Sequence, residues 1–134
     1  MNSLDLLKIA ENARKNAFCE ISNYAVGAAL ITKSGTVYIG TNIEENTIPG
    51  LSNCAERVAV QNAISHGDRD FEAIAVVGGY VDDMLDYSIT PCGVCRQYIL
   101  DMCKDVKIIT YGKDGEPVIK RIDYYLQDKY ELKK

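Results

Sequence analysis

The first part of the chain places apolar residues at a helical period and then changes to nearly continuous apolar runs. Spacings of three and four separate Leu4, Leu7, Ala10, Ala13 and Ala17. This pattern predicts an amphipathic helix over residues 3–17. Residues 24–32 and 36–41 are rich in β-branched, aromatic and small apolar side chains, and a Lys-Ser-Gly turn lies between them. They predict two strands that form a hairpin.

The rest of the chain alternates loops, helices and strands. Residues 42–53 contain Pro49-Gly50 and predict a loop. A helix is expected to begin at Cys54, with Asn53 as its N-cap, and to end at His66-Gly67. The later predicted elements are a strand at 73–77, a helix at 91–103 with Thr90 as its N-cap, strands at 106–111 and 117–120, and a short helix at 122–126.

The order helix, two strands, helix, strand, helix, two strands, helix predicts an α/β protein with three layers, α/β/α. Its mixed five-stranded sheet should be antiparallel at the first hairpin and parallel where helices cross over. The chain has 134 residues, of which 47% are hydrophobic and 25% charged, as expected for a single domain over residues 1–134. Helix starts and functional loops should cluster at one end of the sheet.

The charge of the chain argues against two classes of partner. The net charge is −4 and the pI is near 5.0, and an acidic chain without a basic run is a poor polynucleotide binder. No apolar run approaches the roughly 20 residues that span a bilayer, so no membrane partner is expected. The five cysteines are odd in number, which favours thiols and a reducing, cytoplasmic location.

Three of the cysteines have the spacing of metal ligands. Cys92 and Cys95 lie three residues apart in the first turn of a predicted helix, and Cys54 lies at the start of another. Helix N-termini favour thiolates, the form that binds zinc. The other candidates, His66 and Cys103, lie two to three turns away. Three ligands leave one position for water, which is typical of a catalytic zinc ion.

Glu56 lies two residues after Cys54 and is the candidate general acid and base. Residues 54–57 (Cys-Ala-Glu-Arg) and 91–97 (Pro-Cys-Gly-Val-Cys-Arg-Gln) together resemble the zinc-dependent cytidine deaminase family, in its short, tetrameric, three-cysteine form. Residues 26–30 (Val-Gly-Ala-Ala-Leu) resemble the first strand of that family, and residues 42–44 (Asn-Ile-Glu) resemble its sugar-binding element.

The resemblance implies a cytidine-deaminase-like fold, one Zn²⁺ per subunit, a homotetramer and a small pyrimidine nucleoside as substrate. The implied reaction is hydrolytic deamination of cytidine and deoxycytidine to uridine and deoxyuridine in pyrimidine salvage, with Glu56 as the proton shuttle. The remaining implied roles are sugar binding by Asn42 and Glu44, a backbone contact of Ala55 with the pyrimidine ring, aromatic packing by Tyr24, a contact of Tyr130 with a neighbouring subunit's site, and hydrogen bonding of Arg57 to the ligand sulfurs.

Several alternatives stay open from the sequence. One residue more than the family pattern separates Asn42 from Cys54, so Glu45 is an alternative to Glu44. A blasticidin S deaminase has the same zinc core, and a structural zinc-binding module or a redox dithiol would also use a Cys-x-x-Cys pair. Tyr24 could be strand core, and residues 124–134 could be a solvated helix end. Cys19 and Cys103 are expected to be buried apolar residues.

Overall fold

The computed structural model describes residues 1–132, and the last two positions of the predicted C-terminal arm lie outside them. The elements are α1 (Ser3–Ala13), β1 (Tyr24–Thr32), β2 (Val37–Thr41), α2 (Ala55–Ser65), β3 (Phe71–Tyr80), α3 (Gly93–Cys103), β4 (Lys107–Tyr111), β5 (Pro117–Arg121) and α4 (Ile122–Tyr125). Within residues 1–132, no helix has the length and apolar character needed to cross a membrane.

The five strands form one mixed sheet in the order β2-β1-β3-β4-β5. The β3/β4 pair is parallel and the other three pairs are antiparallel. Because β1 is antiparallel to both β2 and β3, those two strands run in the same direction, and α2 connects them. Helix α3 connects the parallel pair β3 and β4. The predicted sheet is therefore confirmed, including parallel strands at both helix crossovers.

Helices cover both faces of the sheet, which explains why β1 and β3 are almost continuously apolar. On one face, Leu7 and Ala10 of α1 pack against strand residues that include Ala75. On the other face, Val60 of α2 and Ile99 of α3 belong to a larger buried cluster. The three-layer α/β/α prediction is confirmed.

The first helix is shorter than predicted, and the residue after its end, Arg14, bonds to two strands. Helix α1 ends at Ala13 and a 3₁₀ turn follows at Arg14–Asn16. The Arg14 guanidinium donates to the carbonyls of Ala25 and Gly79, at 3.0 and 2.7 Å. These bonds tie the end of the helix to β1 and β3.

The N-caps of α2 and α3 are the cysteines themselves, so the predictions of Asn53 and Thr90 as caps were wrong. Helix α2 begins after Cys54, and α3 begins after Cys92, whose Sγ accepts from the Cys95 amide at 3.4 Å. Asn53 instead donates its side-chain amide to Gln61. The Thr90 hydroxyl accepts from Arg96, one turn into α3. Both predicted caps thus hold a side chain farther along their helix.

Gly40 allows β2 to approach the first turn of α2 at backbone distance. A Cβ at this position would clash with the Ala55 carbonyl oxygen and the Ala59 amide nitrogen. Backbone atoms of a helix cannot move aside as a flexible side chain can. We expect Gly40→Ala to lower the free energy of unfolding by roughly 3 kcal/mol, measured by denaturant titration.

Gly50→Ala is the matched control for this substitution, because a Cβ at Gly50 would meet no atom within 4 Å. Its free energy of unfolding should stay within about 0.5 kcal/mol of the parent. Equal unfolding midpoints for the two variants would contradict the close approach of β2 to α2.

Candidate active site

The starts of α2 and α3 bring three sulfur atoms together at one end of the sheet. The Sγ atoms of Cys54, Cys92 and Cys95 all lie within 4.8 Å of one another, and those of Cys54 and Cys92 are 3.8 Å apart. All three residues are free thiols. The structure therefore assembles the cysteine set that the sequence predicted.

The spacing of these sulfurs fits a zinc ion. In a tetrahedral site with zinc–sulfur bonds of about 2.3 Å, two sulfur ligands lie roughly 3.8 Å apart, which is the distance between the Cys54 and Cys92 sulfurs. Among the described residues, the cluster contains these three cysteines and neither His66 nor Cys103. Cys103 is buried elsewhere, and burial raises the pKa of its thiol to about 12. Three soft ligands with a free fourth position are the donor set of a catalytic zinc site.

The electrostatics of the cluster also favour a cation. Hydrogen bonding from the Cys95 thiol, together with Arg57, lowers the pKa of Cys54 below its ordinary value. The Arg57 guanidinium donates to the Cys54 sulfur at 3.3 Å. In turn, the hydrogen bond to Cys54 and burial raise the pKa of Cys95. Three adjacent thiols cannot all ionise unless a multivalent cation compensates their charge.

Glu56 lies beside the sulfurs in the first turn of α2 and is almost fully buried, with 4% of its surface exposed. Burial raises the pKa of its carboxyl to about 7, and the neighbouring Cys54 charge adds to the effect. A carboxyl with a pKa near the working pH can both accept and return a proton. The position and environment of Glu56 thus suit a general acid and base.

A cavity of about 460 Å³ opens above the sulfurs and Glu56. Its size is within the range of small-molecule sites. Besides Cys54 and Cys92, six of the predicted site residues line this cavity. They are Tyr24, Asn42, Glu44, Ala55, Glu56 and Arg57.

Asn42 lies at the edge of the cavity with most of its amide already used. Its Oδ1 accepts from the Val26 amide at 2.9 Å, and its Nδ2 donates to the Tyr24 carbonyl at 2.7 Å. A side-chain amide has two N–H donors, so one remains for a ligand. The two bonds to β1 hold that donor in a fixed orientation.

Glu44 and Glu45 have different surroundings. Glu44 lines the cavity, and its carboxylate accepts from the amides of Ile21 and Ser22 and from the Ser22 hydroxyl. Partial burial raises the pKa of Glu44, but these hydrogen bonds outweigh it and hold the pKa below its ordinary value. Glu45 instead accepts from the Thr47 amide within its own turn and lies outside the cavity lining. The geometry therefore favours Glu44 for contact with a ligand.

The sequence matches a known family model over most of its length. Residues 2–112 match the model described as the cytidine and deoxycytidylate deaminase zinc-binding region. The chain belongs to this family. The match includes all three cysteines and Glu56, so the family's zinc-binding region is the site described above.

Similar proteins agree with this assignment. Cytidine deaminase from Halalkalibacterium halodurans is 43% identical over 112 residues, which cover 83% of this chain and 80% of that protein. Blasticidin-S deaminase from Bacillus cereus is 34% identical over 109 residues, with 79% and 76% covered. The crystal structure of cytidine deaminase from Burkholderia pseudomallei superposes with a TM-score of 0.84 at 37% identity, covering 97% of this chain and 100% of that chain. The cytidine-deaminase fold is therefore confirmed.

Tyr130 is separate from the cavity of its own chain. Its side chain is 67% exposed, and its carbonyl oxygen accepts from the Gln97 side chain at 3.1 Å. Gln97 lies in α3, two residues after Cys95. The C-terminal segment is thus attached to the helix that carries two of the sulfurs, with the tyrosine ring facing outward.

Two further residues of this family member were missed at the sequence level. Arg96 donates to the Pro91 carbonyl at 2.7 Å, to the Thr90 hydroxyl at 3.0 Å and to the Tyr125 carbonyl at 3.0 Å, so it joins the Cys92 loop to α4. Asp86 lines the cavity from the segment after β3. Asp86 could have been found from the sequence, because it lies in a loop at the end of the sheet where α2 and α3 begin, and functional residues concentrate in such loops.

Proposed function

We propose that this protein catalyses the zinc-dependent hydrolytic deamination of cytidine and deoxycytidine to uridine and deoxyuridine. The observation that carries the proposal is the buried Glu56 beside three clustered sulfurs at the base of a nucleoside-sized cavity. Cytidine deaminase is also the name of relatives that are 43% and 42% identical to this chain.

Cys54, Cys92 and Cys95 would hold the zinc ion, and Glu56 would move the protons. A bound zinc ion supplies the Lewis acidity that makes water a nucleophile at neutral pH. Glu56 accepts a proton as water attacks C4 of the pyrimidine, and it returns protons to the ring nitrogen and the departing amino group. Water and cytidine thereby give uridine and ammonia.

Arg57 would keep the zinc site from being too negative. Three thiolates exceed the charge of one Zn²⁺ by one negative charge, which opposes the loss of a proton from water. The guanidinium bond to Cys54 and the N-terminal ends of α2 and α3 offset part of this excess. The same bond orients the Cys54 sulfur.

Substrate would be held by residues on the cavity wall. The free N–H of Asn42 and the carboxylate of Glu44 are suited to the sugar hydroxyls, since one donates and the other accepts. The Ala55 backbone would meet the pyrimidine ring, and the Tyr24 ring would pack against the nucleoside. All four residues line the cavity.

The homotetramer is also a proposal. Tyr130 would complete the cavity of a neighbouring subunit, which is consistent with its exposed ring. Phe18 and Ile21 are each more than half exposed and lie around one surface cavity, and exposed apolar side chains that lie together are typical of interaction surfaces. The single domain over residues 1–134, the cytoplasmic location, the role in pyrimidine salvage and the lack of nucleic-acid binding remain predictions.

The proposal is tested by following ultraviolet absorbance while zinc-loaded protein is incubated with cytidine, deoxycytidine or blasticidin S. We expect turnover of both nucleosides. Turnover of blasticidin S alone would mean that the substrate is blasticidin S, while the proposed deamination chemistry would stand. This compound is tested because the chain is similar to blasticidin-S deaminase from Bacillus cereus. Zinc binding without any turnover would favour a structural zinc module.

Light scattering on the same preparation should give the mass of four chains, and a fully active monomer would contradict the shared site.

A further inference from the structure

Among the described residues, Asp86 is the one ionisable side chain on the cavity wall to which neither the sequence motifs nor the reaction assigns a role. It lies in the segment between β3 and α3 and is half-buried. Its backbone amide donates to the Gly78 carbonyl at 2.7 Å, which attaches this part of the segment to the end of β3. The position of the carboxylate is therefore set by the sheet.

Three hydrogen bonds hold the Asp86 carboxylate in its charged form. Oδ1 accepts from the Ser88 hydroxyl at 2.5 Å and from the Ser88 amide at 2.9 Å, and Oδ2 accepts from the Tyr24 hydroxyl at 2.7 Å. The Ser88 hydroxyl and then the Tyr24 hydroxyl lower the pKa of Asp86 below its ordinary value. The Tyr24 and Ser88 groups that donate these bonds are uncharged. They fix the orientation of the Asp86 carboxylate but do not neutralise its negative charge.

The charges around the cavity are unbalanced as a result. Glu44 and Asp86 are both carboxylates with lowered pKa values. Arg57 is the only basic residue among the described residues that line the cavity, and its guanidinium is engaged with the Cys54 sulfur. A phosphate group entering this cavity would meet two negative charges and no free positive one.

We propose that Asp86 is a specificity-determining residue that disfavours phosphorylated pyrimidine nucleosides at this site. The family description includes both nucleoside and nucleotide deaminases, so the choice between them has to be made by individual residues. A dianionic phosphate is repelled by an oriented carboxylate on the wall of a confined cavity, whereas an uncharged sugar hydroxyl is not. The inference rests on the proposed function and adds a restriction on its substrates.

The decisive variant is Asp86→Asn, because asparagine keeps the size of the side chain and a carbonyl oxygen that can accept from Tyr24 or Ser88. We expect the ratio of kcat/KM for deoxycytidine 5′-monophosphate to kcat/KM for deoxycytidine to rise roughly tenfold. Asp83→Asn is the matched control, since it removes the same charge from the same segment at an exposed position outside the cavity lining. An unchanged ratio in Asp86→Asn, or equal increases in both variants, would overturn the proposal.

A binding measurement tests the same point in the unaltered protein and needs no turnover. Calorimetry should show uridine binding more tightly than uridine 5′-monophosphate, with a smaller difference at high ionic strength because salt screens the repulsion. Equal affinities, or a difference independent of salt, would overturn the role of Asp86. Failure of the proposed function would be distinguishable from failure of this inference. It would appear as the absence of deamination of either nucleoside, whereas the binding preference is measured without turnover.

Discussion

Glu56→Gln should reduce kcat/KM for cytidine by at least about 10³-fold while the protein keeps its zinc. Glutamine has nearly the same size and fits the same buried position, but it cannot accept a proton from water or return one to the leaving amino group. Glu56 lies outside the sulfur cluster, so its replacement leaves the ligand set complete. The measurements are steady-state deamination and the zinc content of the purified variant.

Glu72→Gln is the control for this substitution. Glu72 is an exposed residue of β3 whose contact with Lys107 is a surface ion pair, and such pairs contribute little. This variant should deaminate cytidine at the parent rate. Retention of more than a tenth of parental turnover by Glu56→Gln would show that another group moves the proton.

Cys92→Ala should abolish stoichiometric zinc binding, and activity should be lost with the metal. The apparent free energy of zinc binding in zinc-finger peptides is about 10–16 kcal/mol, and removal of one of three ligands here should weaken affinity by at least roughly 10³-fold. The same change removes the sulfur that accepts from the Cys95 amide at the start of α3. Zinc content after dialysis and thermal unfolding with and without a chelator are the two measurements.

Cys103→Ala provides the matched comparison, since Cys103 is the last residue of α3, the helix that Cys92 caps, but lies outside the sulfur cluster and is buried in the core. It should keep one zinc per chain and lose only the stability of a small buried side chain. Its unfolding temperature should fall when a chelator is added, whereas that of Cys92→Ala should not respond. A chelator response in Cys92→Ala would show that the remaining groups suffice to hold the metal.

Local spacing was enough to predict which side chains the structure brings together at the candidate site. Cys92, Cys95, Cys54 and Glu56 all lie within the first turn of a helix or at its start, where three or four residues fix the relative positions. The helix caps were not predictable in the same way. Asn53 is among the commonest N-cap residue types, but its amide is bonded to Gln61, two turns into the helix.

The limits of the longer elements depended on contacts between distant parts of the chain. The third strand was predicted over residues 73–77, yet it extends to Tyr80 because it pairs with β1 as far as Tyr24. The first helix ends at Ala13, and the side chain of the next residue, Arg14, bonds to two strands. No role for Asp86 could be predicted from the sequence, because the Tyr24 hydroxyl that donates to its carboxylate lies 62 positions away in the chain.

The loop that precedes Cys54 is closed at its base. Ile43 and Asn53 exchange two backbone hydrogen bonds, of 3.0 and 2.9 Å, and Ile43 also bridges to Phe18. The nine residues between Ile43 and Asn53 therefore form a closed loop. The length of this loop does not set the position of α2. Insertions and substitutions among these nine residues can therefore reshape the part of the cavity wall that Glu44 and Ser52 form, while Cys54 and Glu56 keep their positions.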